Sequence, residues 1–263
     1  MRPLATMPAD EATRVEALLF DLDDTVLTHG RLTREAYDAI CDLAGAGFAL
    51  VAVTGRPAGW GEIVARQWPV DGVVAENGAV LLYRREREIA RELRHEAPAV
   101  ARRRLDEVVA AVRRAVPEIE LADDNAARLT DVTFDVGERR KLPADRVAAA
   151  RAAIVSTGAR ATLSSVHLHA SFEGDDKASG VYRFLALRRG LEPAAARVRC
   201  AFVGDSENDA ACFAAFATTI GVANVAPWVA RLSVPPRYVT SAPMGAGFAE
   251  LARLLLRARA SSA

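Results

Sequence analysis

The alternation of short apolar runs with helical segments at both ends of the chain is the feature that most constrains its fold. The runs from Val15 to Phe20 and from Phe48 to Val53 flank the segment TREAYDAICDLAGAG, whose apolar residues have helical spacing before a glycine. Near the other end, VRCAFVGD, TTIGV and RYVTS have strand character and are separated by helical stretches. Strands joined through helices pair in parallel. The sequence therefore predicts an α/β fold, a doubly wound, Rossmann-like parallel sheet with helices on both faces.

The middle third of the chain has a different pattern. The segment AVARRRLDEVVAAVRRAV predicts a helix with a narrow apolar stripe and an exposed basic face. RLTDVTFDV alternates polar and apolar residues with period two, and ATLSSVHLHASF predicts one or two further strands. Elements that are buried on one side predict a small sheet with helices on one face, inserted as an α+β cap. We therefore expect a core of residues 1–82 and 172–263 and a cap of residues 83–171.

Composition argues against several classes of function. Basic and acidic residues both number 34, so there is no overall field to attract nucleic acid or an anionic membrane. No apolar segment of signal-peptide length stands near the start, and no run approaches the roughly 18 apolar residues of a membrane span. Cys41, Cys200 and Cys212 are far apart with no CxxC pair, which predicts buried reduced thiols. We expect a cytoplasmic protein that is a monomer or a homodimer.

Acidic residues gather directly after two of the predicted strands. Asp21, Asp23 and Asp24 follow the first strand, and DSEND, residues 205–209, follows CAFVG; TGR, residues 54–56, follows a third strand. Because ligands of an open parallel sheet bind beyond the carboxyl ends of its strands, we expect these groups to lie close together. Carboxylates so placed would repel one another, and a divalent cation relieves that repulsion. An all-oxygen site without clustered His or Cys favours Mg²⁺.

Each acidic residue also has a purely structural interpretation. Asp24 and Thr25 suit a turn. Asp205 or Ser206 suits a helix N-cap, with Asp209 favourable in the first helical turn. These interpretations do not explain why such groups recur at the ends of matching strands, so the metal site is the stronger prediction.

Lys177 is the cation that a phosphoryl site would need. It begins the predicted helix DKASGVYRFLALRRG, where the helix dipole disfavours a positive charge. An ammonium directed at a bound anion explains this placement; a solvated surface lysine is the alternative. A hard cation, a free carboxylate, a hydroxyl and a lysine together suit phosphoryl transfer, because most of its rate comes from positioning and charge neutralisation.

Taken in order, DLDDTV, TGR, Lys177 and GDSEND resemble the four motifs of the haloacid dehalogenase-like hydrolase superfamily. Each motif is short, but all four in order and at strand ends are specific. The tripeptide at Asn77, the long insert between the second and third motifs, and Gly221 to Asn224 look like the branch with an α/β cap at that point. That branch includes Cof-type phosphatases, sugar-phosphate phosphatases and phosphomannomutases.

The resemblance implies a role for each motif residue. Asp21 would be the nucleophile that forms an aspartyl-phosphate, and Asp23 would act as the general acid and then as the base. Thr54, Gly55 and Lys177 would hold phosphoryl oxygens. Mg²⁺ would be bound by the carboxylate of Asp21, the backbone carbonyl of Asp23, Asp205 and Asp209, with Asn208 in support.

The cap residues that could contact a substrate are Arg128 and Asp131, although exposed charges on a small sheet are an equal alternative. Lys141 and His169 are weaker candidates. His167 and His169 alternate onto one strand face, and we interpret them as residues of a cap strand rather than as a second metal site.

The function predicted from these motifs is Mg²⁺-dependent hydrolysis of a small phosphomonoester, such as a sugar phosphate. Two alternatives stay open. A phosphohexomutase-like enzyme would use the same aspartates but return the phosphoryl group to the substrate, and it would need several cap arginines directed inward. A non-enzymatic, phosphate-responsive regulator would also use an acidic cluster and Mg²⁺.

Overall fold

The computed structural model describes residues 1–93, 98–164 and 166–261, with the backbone alone for 98–101. The strands of this part of the chain are β1 (Arg2–Pro3), β2 (Ala17–Phe20), β3 (Leu27–Thr28), β4 (Arg31–Leu32), β5 (Ala49–Val53), β6 (Gly72–Ala75), β7 (Val80–Arg85), β8 (Glu88–Leu93), β9 (Glu120–Leu121), β10 (Asp131–Asp135), β11 (Arg160–Leu163), β12 (His167–Ser171), β13 (Cys200–Gly204), β14 (Thr218–Gly221) and β15 (Tyr238–Val239). The α-helices are α1 (Ala9–Thr13), α2 (Arg34–Gly45), α3 (Ala58–Gln67), α4 (Pro98–Ala115), α5 (Ala144–Ser156), α6 (Lys177–Arg189), α7 (Pro193–Arg199), α8 (Ala210–Ala215) and α9 (Met244–Ala260).

A large mixed sheet forms the centre of the molecule, in the order β1-β15-β14-β13-β2-β5-β6-β7-β8. Its strands pair in parallel from β1 to β6, and β7 and β8 continue the sheet antiparallel. The turn between β6 and β7 contains Asn77 at φ 52° and Gly78 at φ 110°, a left-handed backbone that Asn and Gly tolerate best. The predicted α/β fold with a parallel sheet is confirmed.

Helices cover both faces of the large sheet, because its buried strands are apolar on both sides. Leu18 and Leu50 pack with α2, α3 and α9, whereas their neighbours Leu19 and Val51 pack with α6, α7 and α8. Each such buried aliphatic side chain contributes about 1.5–3 kcal/mol. This layering places the carboxyl ends of β2, β5 and β13 next to one another at one edge of the sheet.

A second, antiparallel sheet in the order β11-β12-β10-β9 has one apolar and one polar face. The apolar face, with Phe134 and Leu168, packs under α4 and α5. The side chains that alternate onto the polar face are Asp131, Thr133, Asp135, His167 and His169. The predicted small sheet with helices on one face is therefore present.

Several details differ from the expectations drawn from sequence. Of the helical stretches predicted between the last strands, the one between β14 and β15 is a 3₁₀ helix, Ala223–Arg231. Cys200 and Cys212 are buried free thiols, but Cys41 is exposed because α2 buries the stripe of Ala36, Ile40 and Leu43 instead.

The boundaries of the predicted cap stay a proposal. Pairing with the large sheet continues to Leu93, past the expected boundary at 83. Residues 94–97 and 165 of that segment lie outside the described residues. None of the helices in the described ranges has the length and apolar character needed to cross a membrane.

Candidate active site

Three carboxylates from two segments of the chain meet at the edge where β2 and β13 end. Asp21 follows β2, and Asp205 and Asp209 follow β13, which pairs with β2 in register. One carboxylate oxygen of each lies within 4.8 Å of the others, and all three side chains are buried. The sequence prediction that distant acidic groups converge here agrees with this geometry.

Burial and mutual repulsion make this cluster electrostatically costly. Burial raises the pKa of Asp21 to about 7, and nearby Asp209 and Asp23 add to the shift. Burial, and then the charge of Asp21, also hold the pKa of Asp205 well above its usual value. Within the described chain, Oδ1 of Asp205 is buried and has no hydrogen-bond partner. An all-oxygen group of three carboxylates with an orphaned oxygen fits a hard divalent cation such as Mg²⁺.

Lys177 lies inside the cluster rather than on the surface. Its Nζ is 2.6 Å from Oδ1 of Asp21 and 2.7 Å from Oδ1 of Asp209, and its side chain is fully buried. Burial disfavours the ammonium, but Asp209 and Asp21 outweigh it, so the pKa of Lys177 lies above its ordinary value. The helix start is secured by Asp176, which forms a capping box with Ser179. The alternative of a solvated surface lysine is therefore wrong.

The turn after β13 depends on one carboxylate for its shape. Oδ2 of Asp209 accepts hydrogen bonds from the backbone N–H groups of Asp205 (2.8 Å) and Ser206 (3.1 Å). The capping interpretation is thus also present, since Ser206 and Asp209 form a capping box. Asn208 accepts from Ser206 and donates to Oδ1 of Asn77 at 3.2 Å, which places it beside the cluster.

Asn224 bonds Asp205, the aspartate whose Oδ1 has no partner among the described residues. Its Nδ2 donates to Oδ2 of Asp205 at 3.0 Å and to the carbonyl of Asp24 at 2.9 Å. Asp24 itself has φ 55°, consistent with the turn role predicted for it. The resemblance had drawn attention to Asn224, but the sequence had not assigned it this contact.

Thr54 and Gly55 form the tight turn after β5. Oγ1 of the buried Thr54 accepts from the backbone N–H of Arg56 at 3.0 Å. A Cβ at Gly55 would lie 2.9 Å from Cε1 of His169, so no larger residue fits without movement of that ring. Glycine is therefore required where the small sheet approaches this turn.

Asp23 lies near the three clustered carboxylates but pairs with Arg56. Both of its oxygens accept from Arg56, at 2.8 Å each, and its side chain is 16% exposed. A cleft of about 330 Å³ opens beside it, lined also by His29, Glu138 and Lys141. A polar cleft of this volume suits a small, hydrophilic ligand.

The cap candidates Arg128 and Asp131 are buried and bonded to each other. Arg128 donates to both oxygens of Asp131 (3.0 Å each), to Asp124 and to the carbonyl of Gly55 at 2.9 Å. Burial opposes ionisation of Asp131, yet Arg128 and His169 lower its pKa. Their polar atoms therefore join the two sheets, and direct contact with a substrate stays a prediction.

His169 completes this buried network. Its Nδ1 lies 3.0 Å from Oδ2 of Asp131, and burial lowers its pKa to about 4. A neutral ring that donates through Nδ1 leaves Nε2 as an acceptor. Nε2 is buried and has no partner among the described residues. The pair His167 and His169 shares no metal-ligand cluster within the described ranges.

Sequence reasoning missed Arg56, Glu76 and Glu138 as site residues. Glu76 accepts from the N–H groups of Ala58, Leu129 and Thr130 and thereby fastens the small sheet to the large one. The position of Arg56 at the end of the TGR motif could have identified it as a site residue, whereas Glu138 lies outside any motif.

These features define an α/β protein whose buried site contains three carboxylates and a lysine. The site lies at the carboxyl ends of the parallel strands, next to a second, smaller sheet. The sequence model of haloacid dehalogenase-like hydrolases matches residues 18–101. The resemblance predicted from the motifs is therefore confirmed over this segment. No curated protein matches the sequence.

Solved structures with low sequence identity share the fold over most of the chain. Thermoplasma acidophilum protein 0175 has a TM-score of 0.72 at 17% identity, covering 92% of this chain and 98% of that one. A HAD/COF-like protein from Plasmodium vivax has 0.68 at 16%, covering 95% and 99%. The sucrose-phosphatase of Synechocystis sp. PCC6803, solved with sucrose and phosphate, has 0.62 at 15%, covering 91% and 97%.

Proposed function

We propose that this protein is a Mg²⁺-dependent phosphatase that hydrolyses a small phosphomonoester, such as a sugar phosphate, through an aspartyl-phosphate. The observation that carries the proposal is a buried cluster formed by the side chains of Asp21, Asp205, Asp209 and Lys177. The structural similarity to a sucrose-phosphatase supports a phosphorylated small molecule as substrate. So does the polar cleft of about 330 Å³ beside Asp23.

The residues divide the reaction into two displacements. Asp21 attacks phosphorus, so that a bond to its carboxylate oxygen forms while the bond to the leaving oxygen breaks. Asp23 gives its proton to that leaving oxygen and then takes a proton from the water that attacks the aspartyl-phosphate, which releases phosphate and restores Asp21. Thr54, Gly55 and Lys177 bind the phosphoryl oxygens.

The residues that would hold Mg²⁺ are Asp21, Asp205 and Asp209, with the backbone carbonyl of Asp23. Bound there, the ion supplies charge neutralisation for the phosphoryl oxygens. Lys177 then has the phosphoryl group as an additional anionic partner. Asn224 and the turn amides keep Asp205 and Asp209 oriented, as such supporting contacts do in metal sites.

The contacts of Arg128 do not favour a phosphomutase. Its donors are held by Asp124, Asp131 and Gly55, so it is not directed at a second phosphate in this arrangement. A regulator would have no use for Asp23 beside a substrate-sized cleft. The monomeric or dimeric state and the cytoplasmic location stay predictions.

The test is release of phosphate from a panel of sugar phosphates, nucleotides and phosphoglycerate derivatives, with and without Mg²⁺. We expect Asp21→Asn to abolish turnover, because an amide does not form the covalent intermediate. Asp24→Asn is the matched control, since Asn also tolerates the left-handed backbone at φ 55°. Hydrolysis that persists in Asp21→Asn would refute the nucleophile. Wild-type protein that binds Mg²⁺ but turns over no phosphomonoester would favour the regulator.

A further inference from the structure

Arg56 holds the predicted general acid by a two-point contact. Its Nε and Nη2 donate to Oδ2 and Oδ1 of Asp23, each at 2.8 Å. The guanidinium is 4% exposed and lies over the ring of Trp60, 4.5 Å from the ring centre. Among the described residues, Arg56 is the side chain that bonds the Asp23 carboxylate. A planar fork of this kind fixes both the position and the plane of a carboxylate.

The same guanidinium also bonds the cap. Nη2 donates to Oε1 of Glu138 at 2.7 Å, and Nη1 lies 3.5 Å from Oδ2 of Asp124. Glu138 is itself fixed, because its Oε2 pairs with Nε2 of His167 at 2.7 Å. The hydrogen bond from His167, together with Arg56, lowers the pKa of Glu138 to about 2, so this partner stays ionised. A continuous chain of polar contacts thus runs from the polar face of the small sheet to Asp23.

We propose that Arg56 is a positioning residue, which sets the orientation of the Asp23 carboxylate and is itself held by Glu138 of the cap. This inference rests on the proposed phosphatase function. Lys177 gives Asp23 no hydrogen bond, because its ammonium bonds Asp21 and Asp209 instead. The docking of the cap and the orientation of Asp23 are therefore coupled, because Nη2 of Arg56 donates both to Asp23 and to Glu138 of the cap.

Arg56 has a second conceivable role, since it also lines the cleft and could bind an anionic substrate directly. The two roles differ in what they do to the leaving group. In the first displacement, Asp23 carries the proton that it took from water in the preceding turnover, so one of its two oxygens no longer accepts from Arg56. That proton passes to the leaving oxygen as its bond to phosphorus breaks. A leaving group that is stable as an anion needs no such proton, whereas a basic one does. Loss of positioning therefore harms substrates in proportion to the basicity of the leaving group; loss of an anchor harms all of them equally.

The experiment measures kcat/KM of the 263-residue chain, with Mg²⁺ present, for aryl phosphates graded from 2,4-dinitrophenyl to phenyl phosphate. For Arg56→Lys, which keeps the charge but not the fork, we expect a loss of roughly 10²-fold with phenyl phosphate and less than about fivefold with 2,4-dinitrophenyl phosphate. Glu138→Gln should steepen the same dependence on leaving-group pKa by a smaller amount. It keeps the test valid if Arg56→Lys folds poorly, because Glu138 is 37% exposed.

Glu118→Gln is the matched control, because Glu118 also pairs with an arginine of the cap, Arg146, away from the cleft. It should leave the leaving-group dependence unchanged. An equal loss for every aryl phosphate in Arg56→Lys and Glu138→Gln, or a rise in KM alone, would overturn the positioning role. Wild-type protein inactive on the entire series would instead remove the proposed function, and with it this inference.

Discussion

Nζ of Lys177 lies 2.6 Å from Oδ1 of Asp21, in a buried ion pair that joins the start of α6 to the end of β2. The same ammonium bonds Asp209, whose side chain is fully buried. One cation thus faces a cluster of three carboxylates and bonds two of them, while Oδ1 of the third, Asp205, has no partner among the described residues. This excess of negative charge would favour a divalent ion, and without one Lys177 is the cation that offsets it.

Lys177→Met should destabilise the protein strongly when no divalent ion is present. Removing one partner of a buried ion pair leaves uncompensated charge, at a cost of about 3–5 kcal/mol. Added Mg²⁺ should restore more stability to this variant than to the wild type, because the carboxylates lose their competing cation. Urea unfolding with and without Mg²⁺ measures both effects. Lys141→Met, at an exposed lysine, is the control; a similar response in both variants would contradict the prediction.

Binding of Mg²⁺ should release protons near neutral pH. Burial raises the pKa of Asp21 to about 7 and shifts that of Asp205 in the same direction, so near neutral pH a cation must displace a proton from part of the Asp21 population. Affinity should fall by roughly tenfold or more from about pH 8 to about pH 6. Calorimetry in two buffers with different heats of ionisation counts the protons released. Equal affinities at both pH values would rule out this coupling, and Asp21→Asn should release fewer protons.

The arrangement of the core could be predicted because it follows from strand ends. Asp21 and Asp205 each follow an apolar run, and parallel pairing of β2 with β13 brings such ends together. The position of Lys177 beside the carboxylates could be predicted because the helix dipole disfavours a positive charge at a helix start, so a lysine there suggests an anionic partner.

The contacts between the two sheets could not be predicted in the same way. Arg56 and Glu138 are 82 positions apart and meet only through the docking of the cap. Arg128 was a candidate for substrate contact, with an exposed surface charge as the alternative; its guanidinium is instead bonded to buried carboxylates and a carbonyl, and contact with a substrate stays a prediction. The spacing of residues along the chain does not show whether the partner of Arg128 is a substrate or a buried carboxylate.

Glu76 should contribute more to docking of the cap than an ordinary carboxylate would. Its two oxygens accept from Ala58, Leu129 and the N–H and Oγ1 of Thr130, at 2.6–3.0 Å. In Glu76→Gln the amide NH₂ would face a donor, and we expect a loss of roughly 2 kcal/mol of unfolding free energy.

Hydrogen exchange at the amides of Leu129 and Thr130 measures the local effect of Glu76→Gln and should show loss of protection there. Glu62→Gln, at a partly exposed pair with Arg66, should change unfolding by less than about 0.5 kcal/mol. Unchanged protection at both amides in Glu76→Gln would show that Glu76 does not hold the cap.

His169 should make stability depend on pH below neutrality. Burial lowers its pKa to about 4 in the folded protein, from 6.5 as the ordinary value. Between those values the unfolded chain binds a proton that the folded protein does not, so stability falls as pH falls from about 6.5 toward about 4. Going from pH 7 to about pH 5 should cost the wild type about 2 kcal/mol through this one residue.

Urea unfolding at the two pH values should show a smaller decline for His169→Asn, which keeps a donor to Asp131 but does not titrate. His29→Asn is the matched control, because His29 is exposed and its φ of 50° also tolerates Asn. The decline in His29→Asn should equal that of the wild type, since His29 lies outside the Asp131–His169 contact. An undiminished decline in His169→Asn would mean that the Asp131–His169 contact does not hold this ring neutral in the folded protein.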